Sequence, residues 1–140
     1  MPFRGFYDHT LDDRGRVALP ARYRHEFESG AVMTMSPDGC VQVYTQSAFL
    51  DKSEEGANDS SWSRNGRNKR RIFDAFSFDV ELDRQGRILV PAKFRDSAGL
   101  EGPVVIAGVR ECLEIWNPER WETILEQAAE AASSEPAAGE

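Results

Sequence analysis

Histidine and cysteine are the scarcest chemistry-bearing residues in this chain, with two of each in 140 residues. His9, His25, Cys40 and Cys112 fall at none of the zinc-like spacings such as C-x-x-C or H-x-x-x-H, and no metal site is expected. No apolar run approaches the length that spans a bilayer, so no membrane partner is expected either. The opening Met1-Pro2-Phe3-Arg4-Gly5 lacks the apolar core and cleavage site of a secretory signal, which leads to the expectation of a cytoplasmic address. Also missing are a nucleophile with a histidine partner, a paired-carboxylate pattern and a phosphate-cradling glycine loop. The chain therefore reads as no enzyme, with no cofactor and no small-molecule substrate.

Positive charge is missing from the end of the chain. After Trp121 come Glu122, Glu126, Glu130, Glu135 and Glu140 with no lysine or arginine, whereas Arg64, Arg67, Lys69, Arg70 and Arg71 crowd together in the middle. The net charge of -7 argues against a nucleic-acid partner only as a sum, because the excess acid is largely a tail. Hydrophobic content of 40% and charged content of 29% are ordinary for a soluble globular chain. The length suits one compact domain or two small halves sharing a core.

A repeat decides between these. "LDDRGRVALPARYR", Leu11 to Arg24, returns as "LDRQGRILVPAKFR", Leu82 to Arg95, at a shift of 71. "AVMTMSPDGCVQVYTQSAF" then returns as "PVVIAGVRECLEIWNPERW" at a shift of 72, aligning Cys40 with Cys112, Tyr44 with Trp116 and Phe49 with Trp121. The matched cysteines suggest a shared packing role, with a bridge between them left open. His9 aligns with Val80, and a catalytic site made by duplication would hardly omit its histidine from one copy.

Each copy reads as strand, turn, strand, short helix, hairpin, helix. In the first, strands at 6–11 and 16–19 flank the turn Asp12-Asp13-Arg14-Gly15. Pro20 opens a helix that Gly30 stops, and Ser36-Pro37-Asp38-Gly39 turns a hairpin. In the second, strands are expected at 77–82, 87–90, 104–107 and 112–116, with a helix between Pro91 and Gly99. A last helix starts at Asn117 and Pro118 and carries Trp121, Ile124 and Leu125 on its apolar face. The expected units are a first repeat at 3–51, a polar linker and basic helix at 52–76, a second repeat at 77–126 and a disordered acidic tail at 127–140. The helix at 66–76 would place Ile72, Phe73 and Phe76 on its apolar side; its basic turns read either as a solvated face or as a sequence-blind contact to phosphate. Strands this short cannot bury a core within one half, so the class is mainly β with short helices (α+β). Its halves would pack about a pseudo-twofold axis with interleaved hairpins.

The shared core of the repeat is Asp-x-x-Gly-Arg: Asp12, Gly15 and Arg16, then Asp83, Gly86 and Arg87. Aspartate accepts backbone N–H groups across a turn, glycine permits the reversal, and arginine four residues on pairs with the aspartate. A self-braced turn accounts for these residues without a ligand. A second reading starts from the surrounding Arg4, Arg14, Arg22, Arg24, Arg84, Lys93 and Arg95. With both turns on one face, arginine forks on a rigid β platform suit a DNA duplex.

The paired D-x-x-x-R motifs, each followed by a proline and a basic helix, resemble the MraZ family over most of the chain. The resemblance implies two fused AbrB/SpoVT-type units forming a double-ψ-like, swapped-hairpin barrel. It also implies a transcriptional regulator that binds double-stranded, G-rich direct repeats upstream of the division and cell-wall gene cluster. Such regulators assemble into homo-oligomeric rings, and a nucleoid association follows. Carried over by position, Arg14, Arg16 and Arg87 would contact DNA, while Asp12, Gly15, Asp83 and Gly86 would support the turns. Gln85 stands in the second copy where Arg14 stands in the first. The polar stretch "GANDSSWSRNGRNKRR" departs from the longer amphipathic helix common in the family. An AbrB-like antitoxin, a protein-interaction module, is the alternative that the same resemblance carries.

Overall fold

The computed structural model of the chain describes residues 2–56 and 63–134. The first repeat contains β1 (Phe6–Thr10), β2 (Arg16–Ala18), a 3-10 helix (Ala21–Phe27), β3 (Ala31–Met35), β4 (Val41–Thr45) and α1 (Gln46–Gly56). After α2 (Arg64–Phe73), the second repeats the order with β5 (Ser77–Val80), β6 (Arg87–Leu89), α3 (Ala92–Ala98), β7 (Pro103–Gly108), β8 (Leu113–Trp116) and α4 (Pro118–Ser134).

Six strands form one antiparallel sheet in the order β1-β7-β8-β4-β3-β5, and β2 pairs with β6 in a separate ladder. The halves interleave: β1 lies on β7, β5 on β3, β2 on β6 and β4 on β8. Where the resemblance implies a barrel, the hydrogen-bonded strands give an open sheet with β1 and β5 at its edges. The reason is that β2 and β6 pair with each other and extend neither edge.

The ladders locate the pseudo-twofold axis. Val17 faces its own equivalent Ile88, and Gln42 faces its own equivalent Glu114. Val17 and Ile88 are fully buried, each contributing about 1.5–3 kcal/mol by leaving water. Around them Leu19, Tyr23, Phe27 and Met33 from one half pack with Val90, Phe94, Ile106 and Ile115 from the other in a single core. Across the axis at the other point, Gln42 donates to Glu114 (3.3 Å), flanked by Tyr44 on Gln42 (3.4 Å) and Trp116 on Glu114 (3.1 Å).

The same ladders correct the alignment of the hairpins. His9 pairs with Val104 as Val80 pairs with Ala31, so Ala31 corresponds to Val104, a shift of 73 rather than 72. The loops explain the difference, since residues 36–40 join β3 to β4 but only residues 109–112 join β7 to β8. Within the shorter loop Arg110 adopts a φ of 71°, the one non-glycine residue with positive φ among the described residues. Its backbone is held there by both hydrogen bonds of a bridge to Phe3, at 2.9 and 2.8 Å.

Other boundaries also move. The basic helix spans Arg64–Phe73, because the Ser63 hydroxyl caps it by accepting the Gly66 amide at 2.9 Å. Of its expected apolar side, Phe73 stacks on Phe49 at 4.9 Å, while Ile72 is 71% exposed and Phe76 lies beyond the helix. The connection expected at 52–65 is helical at both ends, and residues 57–62 lie outside those described. The last helix starts as expected, with Asn117 Oδ1 accepting the amides of Glu119 and Arg120. It runs to Ser134, past the expected end at 126, because alanine and glutamate are strong helix formers. Residues 135–140 of the expected tail lie outside those described.

Both cysteines are free and buried. Burial, seconded by the nearby Glu114 carboxylate, pushes the Cys112 thiol up to about 12, and the same causes raise Cys40 further. These are inert packing groups rather than nucleophiles.

Candidate nucleic-acid interface

The two charged turns have one geometry. Asp12 Oδ1 accepts the amides of Arg14 (3.0 Å) and Arg16 (2.8 Å), and its Oδ2 accepts Arg16 Nε (2.9 Å). Asp83 Oδ1 accepts the amides of Gln85 (2.8 Å) and Arg87 (2.9 Å), and its Oδ2 accepts Arg87 Nε (2.8 Å). Gly15 and Gly86 complete the reversals at φ of 82° and 75°, which side chains rarely tolerate. Backbone amide donors, led by those of Arg16 and Arg87, hold both aspartates below the ordinary carboxylate range. Each turn is thus tied by three hydrogen bonds to its own aspartate.

The fold also brings the turns together. Extending the β2–β6 ladder, Leu19 N–H donates to Gly86 O (3.0 Å) and Val90 N–H to Gly15 O (2.8 Å). Arg87 Nη1 stands 3.7 Å from Asp12 Oδ2, so the two acid–arginine pairs form one cluster across the axis. Exposed pairs of this kind add little stability, and their effect is to fix where each guanidinium sits. Only Nε is committed to the turn aspartate, and a guanidinium carries four further N–H donors. Arg16 and Arg87 are half-buried beneath the rim, whereas Arg14, Arg84 and Gln85 stand exposed on it.

The remaining basic residues divide. Arg4, Arg22 and Lys93 are exposed, Arg22 lying over the Tyr23 ring and Lys93 over the Phe76 ring. The five cationic side chains of α2 are exposed as well. Arg24 and Arg95 do not flank their own turns: each lies against the glycine of the opposite one. Their equivalence was visible in the repeat, but the exchange of partners belongs to the strand pairing, which periodicity does not encode. A groove of about 600 Å³ runs beside the second turn, lined by Arg24, His25, Arg84, Gln85 and Gly86 among others. Among the described residues no group of three acidic, histidine or cysteine side chains is placed to hold a metal. No described helix is long and apolar enough to cross a membrane.

Two repeats that exchange strands and join one acid–arginine turn from each half define a duplicated, pseudo-symmetric β protein with a paired charged face. Residues 2–72 and 76–139 each match the family model described as "MraZ protein, putative antitoxin-like". The transcriptional regulator MraZ of Thermomicrobium roseum is 40% identical over 119 residues, covering 85% of this chain and 84% of that protein. Its namesake from Roseiflexus castenholzii is 37% identical over 123 residues (88% and 86%), and that from Frankia alni 36% over 129 (92% and 90%). The chain belongs to the MraZ family, and this membership supports a role in transcriptional regulation.

Proposed function

We propose that this chain is a sequence-specific DNA-binding regulator whose paired turns read one duplex. Arg16 and Arg87 present guanidinium groups to base edges or phosphate, Arg14 adds a contact on the first turn, and Asp12, Asp83, Gly15 and Gly86 keep the turns in shape. The observation that carries this reading is the joining of the two turns by the Arg87–Asp12 approach, which makes one face of two arginine-bearing fingers. The interleaved pairing of β1, β2, β5 and β6 with the opposite half supports an AbrB-type swapped-hairpin unit. In keeping with the family, the targets are G-rich direct repeats in the chain's own promoter region, upstream of division and cell-wall genes. A homo-oligomeric ring in the cytoplasm, associated with the nucleoid, would multiply weak faces by raising effective concentration.

The test is a salt titration of binding to the gene's own upstream DNA against scrambled DNA, for the wild type and for Arg16→Ala/Arg87→Ala. Each bidentate contact is worth about 1–3 kcal/mol, so the double variant is expected to lose at least ~30-fold in specific affinity with oligomeric state unchanged. Wild-type-like binding by the double variant would defeat the proposal. The alternative is an antitoxin-like interaction module, favoured by the family description and by the exposed Leu125 on α4. Its signature is a stoichiometric protein partner with no salt-dependent DNA binding.

A further inference from the structure

We infer that Arg24 and Arg95 are positioning residues that act crosswise, each setting the turn of the repeat to which it does not belong. Arg24 sits on the 3-10 helix of the first repeat, yet its side chain lies flat on Gly86 of the second. A Cβ placed on Gly86 would meet Arg24 Cδ, Nε at 2.5 Å and Cζ at 3.0 Å. A Cβ placed on Gly15 would meet Arg95 Nε and Cζ, both at 2.8 Å. Glycine is thus needed at each turn for its positive φ and again for the arginine laid against it.

Hydrogen bonds continue the link. Arg24 Nε donates to Leu19 O (2.9 Å), and the Leu19 amide donates to Gly86 O (3.0 Å). Arg95 Nε donates to Val90 O (3.1 Å), and the Val90 amide donates to Gly15 O (2.8 Å). Each turn is therefore clamped on two sides by the opposite repeat, once through its glycine carbonyl and once through its glycine Cα. Arg24 positions the turn that carries Arg87, and Arg95 the turn that carries Arg16. Substitution of either is felt in the other half of the molecule. The two buttresses differ in one neighbour: the charge of Arg24 acts on His9, and the residue equivalent to His9 in the other half is Val80.

Amide hydrogen exchange on the full chain tests the crossing without reference to DNA. Arg24→Ala is expected to speed exchange at Gln85, Gly86 and Arg87 by ~10-fold or more, leaving Arg14, Gly15 and Arg16 within ~2-fold; Arg95→Ala gives the reverse. Acceleration on the same side, or at neither turn, overturns the inference. Arg24→Gln and Arg95→Gln keep a donor for the strand carbonyl and serve the same comparison if the alanine variants lose their thermal transition.

A second arm rests on the proposed function and uses the gene's own upstream DNA. Arg24→Ala is expected to weaken binding in an Arg16→Ala background but by less than ~2-fold in an Arg87→Ala background, because the turn it sets is already disarmed. The slope of affinity against salt stays unchanged for Arg24→Ala, whereas direct contact with phosphate would lower it by about one. A lowered slope, or equal losses in both backgrounds, overturns a positioning role. Absence of any wild-type DNA binding defeats the proposed function alone, and the exchange experiment then decides the crossing.

Discussion

The segments after Pro20 and Pro91 begin alike, Ala-Arg-Tyr-Arg against Ala-Lys-Phe-Arg, yet the first is a 3-10 helix and the second an α-helix. The difference lies at their ends. Gly99 adopts φ of 65°, its amide reaching Arg95 O and Asp96 O while Leu100 N–H returns to Arg95 O at 2.9 Å, a closure that completes α-helical turns. The equivalent residue is Glu28, which stays right-handed at φ of -58° and donates only to His25 O. A side chain resists the left-handed conformation, so the first helix never acquires that closure. The arginines that cross to the opposite turns are thus carried on helices of different winding, yet each reaches the glycine of the opposite turn and the two turns share one hydrogen-bond pattern.

The equivalence of the halves is tested hardest at the axis. Ile88→Ala is expected to cost about 2–5 kcal/mol in denaturant unfolding, with far-UV dichroism and tryptophan fluorescence changing together. Two separate transitions would show that the halves fold independently and break the comparison. Next in size, Gly99→Ala should cost about 1–2 kcal/mol through the left-handed backbone, whereas Glu28→Gly should change stability by no more than ~0.5 kcal/mol. Equal losses at both positions would remove the helix end as the source of the difference. The smallest effect separates His9 from Val80. Burial, then Arg24, lowers the His9 pKa from 6.5 against the opposing Asp8, so the fold favours neutral imidazole. That contribution is complete above 6.5 and is lost as pH falls through the lowered value. His9→Val should therefore gain in Tm relative to the wild type as pH drops below 6.5, and a constant Tm difference between them would refute it.

Much of this architecture was legible because duplication writes each signal twice. The turn chemistry of Asp12 and Asp83, the proline-led helices and the Asn117 cap all depend on local residue types, and they stand where the sequence puts them. What escaped was non-local. The 73-residue shift of β7 depends on which strands meet, and alignment through the cysteines concealed it because a shorter hairpin loop partly offsets a longer preceding connection. Ile72 carried an apolar signal at helical spacing but points outward, since Phe73 supplies the contact with Phe49. Arg24 and Arg95 were visible as a matched pair, but their targets follow from the pairing of β2 with β6.

The Gln42–Glu114 pair bears on partner choice among identical chains. Were the second repeats of two molecules to pair in this register, Glu114 would face Glu114, and like charges directly opposite are destabilising. Gln42 removes that repulsion and supplies a donor, so the second repeat is better matched to the first than to itself. A duplicated chain whose halves remained identical would have no such preference at this position. Divergence at this point on the axis, glutamine on one side and glutamate on the other, makes a first repeat the better partner for a second repeat, and that is the pairing the closed chain holds.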